Sequence, residues 1–340
     1  MKLFNCPKCN HIIFFENESC EKCKSKLGYN YLINNFSIPD LASNLTYCFN
    51  YNHNSCNWVI DTSSNSKFCV ACNLNRKIPN KADIDAFDKY KRLELAKHRL
   101  VYQLVQLKLP IDSKIVHEKG LAFDFLSENN DENKRTGHAN GVVTIILKEA
   151  DSVHRELLRK QMNEPYRTLL GHFRHEIGHY YWPLLFKENN IKKFRSLFGD
   201  ERLDYGVALE NHYKNGAKPN WNSEFISSYA ASHPWEDWAE TWAHYLHIMD
   251  TLETANYIGF SIKNKKNLVL NNRVLKFKNP YKIKNFKKIF EASISLTSAA
   301  NSLNRSMGLP DIYPFVIPKP VYKKLEFIHN LLFNTNVNLT

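Results

Sequence analysis

Two histidines four residues apart with a glutamate beside the first, His175-Glu176-Ile177-Gly178-His179, could hold a metal ion and activate a water on it. Residues at i and i+4 lie one above the other on a helix face, so both imidazoles can face one zinc while Glu176 stays beside the water. That is the chemistry of a zinc hydrolase. Gly178, inside the pentad, lets another backbone come close to the same helix. Five residues of this kind also occur on ordinary helix faces, so the rest of the chain has to supply a third ligand.

Two carboxylates compete for that place. Glu201, in Phe198-Gly199-Asp200-Glu201-Arg202, lies 22 positions after His179, a spacing that suits many His-His-Glu sites. Glu236, in His233-Pro234-Trp235-Glu236-Asp237-Trp238-Ala239-Glu240, lies further on but in a more telling setting. Pro234 can open a helix, and from there Glu236, Glu240, His244 and His247 follow at steps of four, four and three. All four line one stripe of a helix otherwise rich in Trp, Ala and Leu. Ionisable groups on such a stripe are costly to bury unless they meet a metal or one another. On this reading Glu236 binds zinc and Glu240, one turn later, holds a histidine ligand through its second nitrogen. Spacing favours Glu201 and local architecture favours Glu236.

The cysteines predict further metal sites. Cys6-Pro7-Lys8-Cys9 and Cys20-Glu21-Lys22-Cys23 are two C-x-x-C knuckles, the layout of a zinc ribbon with two thiolates from each. The β-prone run Ile12 to Phe15 between them offers too little apolar surface to fold without metal. A second set, Cys48, Cys56, Cys69 and Cys72, closes with Cys69-Val70-Ala71-Cys72, and His53 lies between its first two members as a substitute ligand; four thiolates are favoured. A four-thiolate zinc has no open position for water, so both modules are expected to serve folding or docking.

These sites need elements to position them. After Ile78-Pro79-Asn80, the leucines at 93, 100, 104 and 107 predict a helix that ends before Pro110. Leu121, Phe123 and Phe125 alternate with Ala122 and Asp124 as in a half-buried strand, and Gly141 to Leu147 reads as a second, more buried strand. A strand from Thr136 to Leu147 could be the sheet edge on which an extended substrate pairs. A helical run from about Asp151 to Leu170 leads into the pentad. His172, three before His175, and His138, near the supposed edge, could touch substrate, but a structural role fits both better.

Composition sets the frame. The 340 residues carry 46 Lys and Arg against 34 Asp and Glu, a net charge of +12, and 43% of the residues are hydrophobic, an ordinary balance for a globular chain. The excess is uneven: Lys263 to Lys288 contains no acid, either a nucleic-acid or acidic-partner surface or, the favoured reading, a solvated face. There is no apolar run long enough to span a membrane and no export signal, so the expected address is the cytoplasm, where C-x-x-C pairs bind metal rather than form disulfides.

The ordered set His175-Glu-Ile-Gly-His179, Tyr229 and Glu236-Asp-Trp-Ala-Glu240 resembles the gluzincin pattern of lethal-factor-type toxins and many bacterial zinc peptidases. The whole chain is similar to the bacterial family of zinc-binding metallopeptidases with an N-terminal zinc ribbon. The segments that carry the likeness are Cys6 to Cys9, Leu121 to Leu126, Thr136-Gly137-His138, Tyr166 to His179 and His233 to His247. The resemblance implies that Glu236 binds zinc, that Tyr229 faces the scissile carbonyl and that Glu176 is the general base. It further implies a peptide or protein substrate, one catalytic Zn2+ and up to two structural ones.

Together these readings predict an α+β fold. A zinc ribbon over 1–28 and a second cysteine module over 45–80 would precede a helix-rich, zincin-like domain with a small sheet over 85–340. The rival readings are a non-catalytic zinc protein that binds nucleic acid or a protein partner, and another amide hydrolase on the same zinc chemistry.

Overall fold

A computed structural model describes residues 2–39, 44–127, 136–161, 168–186, 188–263 and 274–335. The start of the Tyr166 motif and residues 264–273 of the acid-free basic stretch lie outside them. The chain divides into two compact units, Met1–Arg155 and Glu156–Thr340.

The first unit begins with short antiparallel pairs: β1 (Phe4–Asn5) with β2 (Ile12–Ile13), β3 (Gly28–Asn30) with β4 (Asn35–Ser37), and β5 (Leu45–Tyr47) with β6 (Val59–Asp61). Hairpins this small cannot stand alone in water. Their side of the core is a cluster of rings, with Phe4, Phe15, Tyr29 and Trp58 fully buried against one another. Tyr102 reaches this cluster, its ring 5.3 Å from that of Phe15.

Tyr102 belongs to α1 (Ile84–Gln106), which starts where Asp83 accepts the Ala86 N–H at 3.0 Å. The predicted leucines are its core face: Leu93, Leu100 and Leu104 are fully buried. Before α1 comes β7 (Asn75–Lys77); after it come β8 (Ala122–Leu126), β9 (Gly137–Ala139) and β10 (Val142–Ile146), which form one sheet in the order β7-β8-β10-β9. β8 runs parallel to both neighbours and β9 antiparallel to β10.

Two details differ from the expected strands. The segment from Thr136 to Leu147 is a hairpin rather than one strand, because Asn140 (φ 48°) and Gly141 (φ 77°) form the two-residue turn that such a dipeptide favours. The buried strand expected over Gly141 to Leu147 is β10, and the edges of the sheet are β9 and β7. β8 is buried on both faces, as parallel strands between two neighbours usually are. Asp124 tolerates this because Arg76 grips its carboxylate with two donors, at 2.9 and 2.5 Å.

The division between units falls within α2 (Ser152–Gln161). The second unit is helical: α3 (Leu169–Leu185), α4 (Glu188–Phe198), α5 (Tyr205–Asn215), α6 (Pro234–Tyr257), α7 (Phe286–Ser306) and α8 (Lys319–Thr335), with one strand pair, β11 (Ser261–Lys263) and β12 (Val274–Lys276). The molecule is thus α+β and helix-rich, as expected. α6 is the hub, touching α3, α4, α7 and α8, and its Trp238, Trp242, Tyr245 and Met249 are fully buried. As predicted, Pro234 opens it, with His233 Nδ1 accepting the Trp235 N–H at 3.1 Å. On the other side Lys324 of α8 reaches the buried Asp237 at 2.6 Å.

The closest approach is between α3 and α6. A Cβ at Gly178 would stand 3.1 Å from Ala239 Cα and 3.2 Å from the Trp242 ring, and the Gly178 carbonyl accepts the Trp238 indole N–H at 2.8 Å. Gly178→Val should therefore force the helices apart and lower stability by roughly 1–3 kcal/mol, read from urea midpoints against wild type.

Candidate active site and metal centres

The sequence places His175 and His179 one turn apart on α3, whose first turn is capped by Thr168 accepting the Gly171 N–H at 3.0 Å. Because α3 lies so close to α6, both imidazoles meet the first turn of α6. The two Nε2 atoms are 3.2 Å apart, and Glu236 Oε2 lies 3.0 Å from that of His175 and 3.5 Å from that of His179. Zinc bonds of 2.0–2.1 Å in a tetrahedron put ligand atoms about 3.3 Å apart, so this triangle has the dimensions of one zinc face.

Glu236 is 1% exposed, and its Oε2 accepts no hydrogen bond among the described residues. Burial works against its charge, but the facing imidazoles hold its carboxyl well below the usual carboxylate range. An ionised, buried oxygen aimed at two imidazole nitrogens makes this triangle a candidate cation site. Residues 86–331 match the family described as "Putative zinc-binding metallo-peptidase", and residues 3–83 match a zinc-ribbon domain. The chain belongs to that metallopeptidase family.

Uncharacterized proteins of Mycobacterium bovis and Mycobacterium tuberculosis are each 40% identical to it over 338 residues, covering 98% of this chain and 95% of theirs. No solved structure matches.

Around the triangle of this metallopeptidase-family chain, Glu240 takes the place expected for it. His175 Nδ1–H donates to Glu240 Oε1 at 2.6 Å, which leaves Nε2 with its lone pair toward Glu236 and His179. Glu240 Oε2 accepts the Ser227 hydroxyl at 2.7 Å. Burial opposes charge on His175, yet the two carboxylates raise its pKa well above the ordinary value. A proton therefore competes with metal for the same nitrogen.

Glu176 is buried on α3 with its carboxylate 3.6 Å from His172 Nε2. Tyr229 sits in a short 3-10 turn (Tyr229–Ala231), its ring 6.0 Å from that of His175. Burial and then the Glu236 charge push its phenol far up, so it is a hydrogen-bond donor at any ordinary pH.

Glu201 is not part of this arrangement. Both its oxygens are held by Arg195, the Nε–Oε2 bond being 2.9 Å and the Nη2–Oε1 bond 2.5 Å. Nor does the whole polar stripe of α6 face a metal. His244 Nδ1 accepts the Tyr313 hydroxyl at 2.6 Å, and His247 Nδ1 accepts from the buried Arg174, which also grips Asp250 at 2.6 Å. The stripe is long enough to pass beyond the α3 histidines, so its later members find other partners. His138 is structural, its Nε2 accepting the Gly141 N–H at 3.0 Å in the hairpin.

All eight cysteines are free thiols in two clusters of four. Cys6 and Cys23 sulfurs are 3.6 Å apart, those of Cys9 and Cys20 3.5 Å, and those of Cys56 and Cys69 3.7 Å. These match the roughly 3.8 Å edge of a tetrahedron with 2.3 Å Zn–S bonds and far exceed the S–S length of about 2.05 Å in a disulfide. In both knuckles the residue after the second cysteine, Asn10 or Lys24, is left-handed and its N–H bonds the carbonyl of the first. In the second cluster the backbone N–H groups of Trp58 and Cys69 point at the sulfurs of Cys56 and Cys48, both at 3.3 Å. His53 is not among those four ligands.

Three partners of these sites escaped sequence reading: Tyr205, whose hydroxyl donates to Glu236 Oε1 at 2.5 Å; Ser227; and His98, whose Nε2 lies 3.8 Å from Cys72 Sγ. Each lies far along the chain from the group it touches and carries no motif of its own.

The two later histidines of α6 give the fold a pH dependence. Burial lowers His244 to about 4, against a weaker opposing pull from Glu240, and burial, Arg174 and His244 hold His247 well below its usual value. The unfolded chain takes protons on both near pH 6.5, whereas the folded chain resists. Stability is therefore complete above about pH 6.5 and falls as pH drops toward 4, with His244 contributing on the order of 3 kcal/mol. Urea midpoints at pH 7 and 4.5 should separate less in His244→Gln than in wild type; equal separation contradicts this.

Proposed function

We propose that this chain is a zinc-dependent peptidase of the gluzincin type, with His175, His179 and Glu236 as metal ligands and Glu176 and Tyr229 as the catalytic residues. The observation that supports this reading most is the zinc-sized triangle of donor atoms with an ionised, unpartnered carboxylate oxygen at one corner. The site fits zinc in donor type: two imidazoles and a carboxylate make the usual catalytic set and leave a position open. When bound, the ion supplies Lewis acidity, polarising a carbonyl and bringing the pKa of water toward roughly 7.

The residues do the rest. Glu240 fixes the tautomer and angle of the His175 ring. Glu176, one residue from His175 on the inner face of α3, takes the proton of the attacking water and delivers it to the leaving amine. Tyr229, kept protonated by burial, donates a hydrogen bond to the oxygen on which negative charge develops. Water adds to the peptide carbonyl, the C–N bond breaks, and a carboxylate and an amine leave. The thiolate sets Cys6, Cys9, Cys20, Cys23 and Cys48, Cys56, Cys69, Cys72 each hold one structural zinc with no open position. The substrate class is a peptide or protein.

Metal analysis of the purified chain should find three zincs. His175→Ala and Glu236→Ala should each hold two, while Glu201→Ala should keep three. Glu176→Gln should keep three and lose roughly 10²–10⁴-fold in cleavage of a random peptide library. Three zincs in Glu236→Ala, or wild-type cleavage by Glu176→Gln, would overturn the reading.

A further inference from the structure

A carboxylate has two equivalent oxygens, and whether one or both meet a metal depends on what else binds them. Glu236 is divided: Oε2 faces the two imidazoles, and Oε1 accepts the Tyr205 hydroxyl at 2.5 Å. Without that hydroxyl Oε1 would lose its Tyr205 hydrogen bond and could swing toward the same cation as Oε2. Tyr205 thus decides how Glu236 presents itself.

Tyr205 is also the first residue of α5, and α5 is unusual in the second unit. None of its 11 residues is buried. Asp204 caps its start, accepting the Val207 N–H at 2.9 Å, and Gly216 (φ 73°) ends it. A helix this short is marginal in water without packing to hold it. Its anchors are at the metal site: Tyr205 on Glu236, with its ring 5.2 Å from His233, and His212, whose ring is 5.9 Å from that of Tyr229.

We propose that Tyr205 is a positioning residue of the metal centre, holding Glu236 to a single-oxygen approach through Oε2 and tying the order of α5 to the loaded site. The proposal rests on Glu236 being a metal ligand. The phenol occupies one oxygen of the carboxylate and leaves the other for the ion. That arrangement keeps a position free for water and substrate. In return, the ion fixes Glu236, Glu236 fixes Tyr205, and the first turn of α5 is set over the site. Partners of this kind commonly change metal affinity by about 10–100-fold when removed.

The test uses the full-length zinc-loaded protein and Tyr205→Phe, which deletes one oxygen. Zinc release to an excess of a coloured chelator is followed in time, and amide hydrogen exchange is read over residues 206–214. In Tyr205→Phe one zinc of three should leave roughly 10–100-fold faster while the thiolate-bound pair leaves at the wild-type rate, and the α5 amides should exchange faster. Wild-type release, with or without a change in α5 exchange, overturns the proposal, because a merely structural tyrosine would loosen α5 and leave the metal alone. Glu236→Ala separates the two levels. If it holds only two zincs while Tyr205→Phe releases normally, this proposal alone fails; if it holds three, the ligand assignment fails and this proposal with it.

Discussion

With no side chain at Gly178, the backbone of α3 can rest against Ala239 and the Trp242 ring, and the chemistry of the second unit depends on this approach. A side chain at Gly178 would push the two helices apart and draw the imidazoles on one away from the carboxylates on the other. Here the Trp238 indole bonds the Gly178 carbonyl directly, and the helices are pinned again by Arg174 reaching His247 and Asp250. Beside these pins His175 and His179 come against Glu236, and His175 also meets Glu240. The packing of two helices thus also brings together the proposed ligand set.

The treatment of buried carboxylates distinguishes the metal site from structural polarity. Asp237 has Lys324, Asp250 has Arg174, Asp124 has Arg76 and Glu201 has Arg195, each within 2.6 Å. A charge buried with a cationic side chain is a local matter, and it locks one element on another. Even with its lysine, Asp237 is pushed up to about 7 by burial. Glu236, equally buried, faces two imidazoles and a tyrosine hydroxyl instead of a side-chain ammonium or guanidinium. The charge missing from that corner is what a divalent ion supplies.

Much of this was legible in the sequence because the informative residues are local. The pentad, the C-x-x-C knuckles and the Pro234 helix start are each set by spacing along one element, and the helical period of α1 and the α6 stripe follows the same logic. Sequence could not choose between Glu201 and Glu236, since that depends on Arg195 claiming the first. It also missed partners that meet only in three dimensions, Tyr205 and Ser227 among them. One local signal went unread: Asn140-Gly141 marks the hairpin that splits the segment from Thr136 to Leu147. Length and apolarity suggested one strand there, but two positive-φ residues in succession decide otherwise.

Family membership gives a coarse identity, a metallopeptidase-type domain with zinc-ribbon cysteines, and the geometry sharpens where its reactive metal should lie. The central claim is that a third zinc sits between α3 and α6, apart from the eight thiolates. Anomalous diffraction at the zinc absorption edge, on crystals of the full chain, tests it most directly. The account predicts three peaks: two inside the cysteine clusters and one about 2.1 Å from His175 Nε2, His179 Nε2 and Glu236 Oε2. Two peaks only, both on sulfur, or a third peak at Glu201, would contradict it.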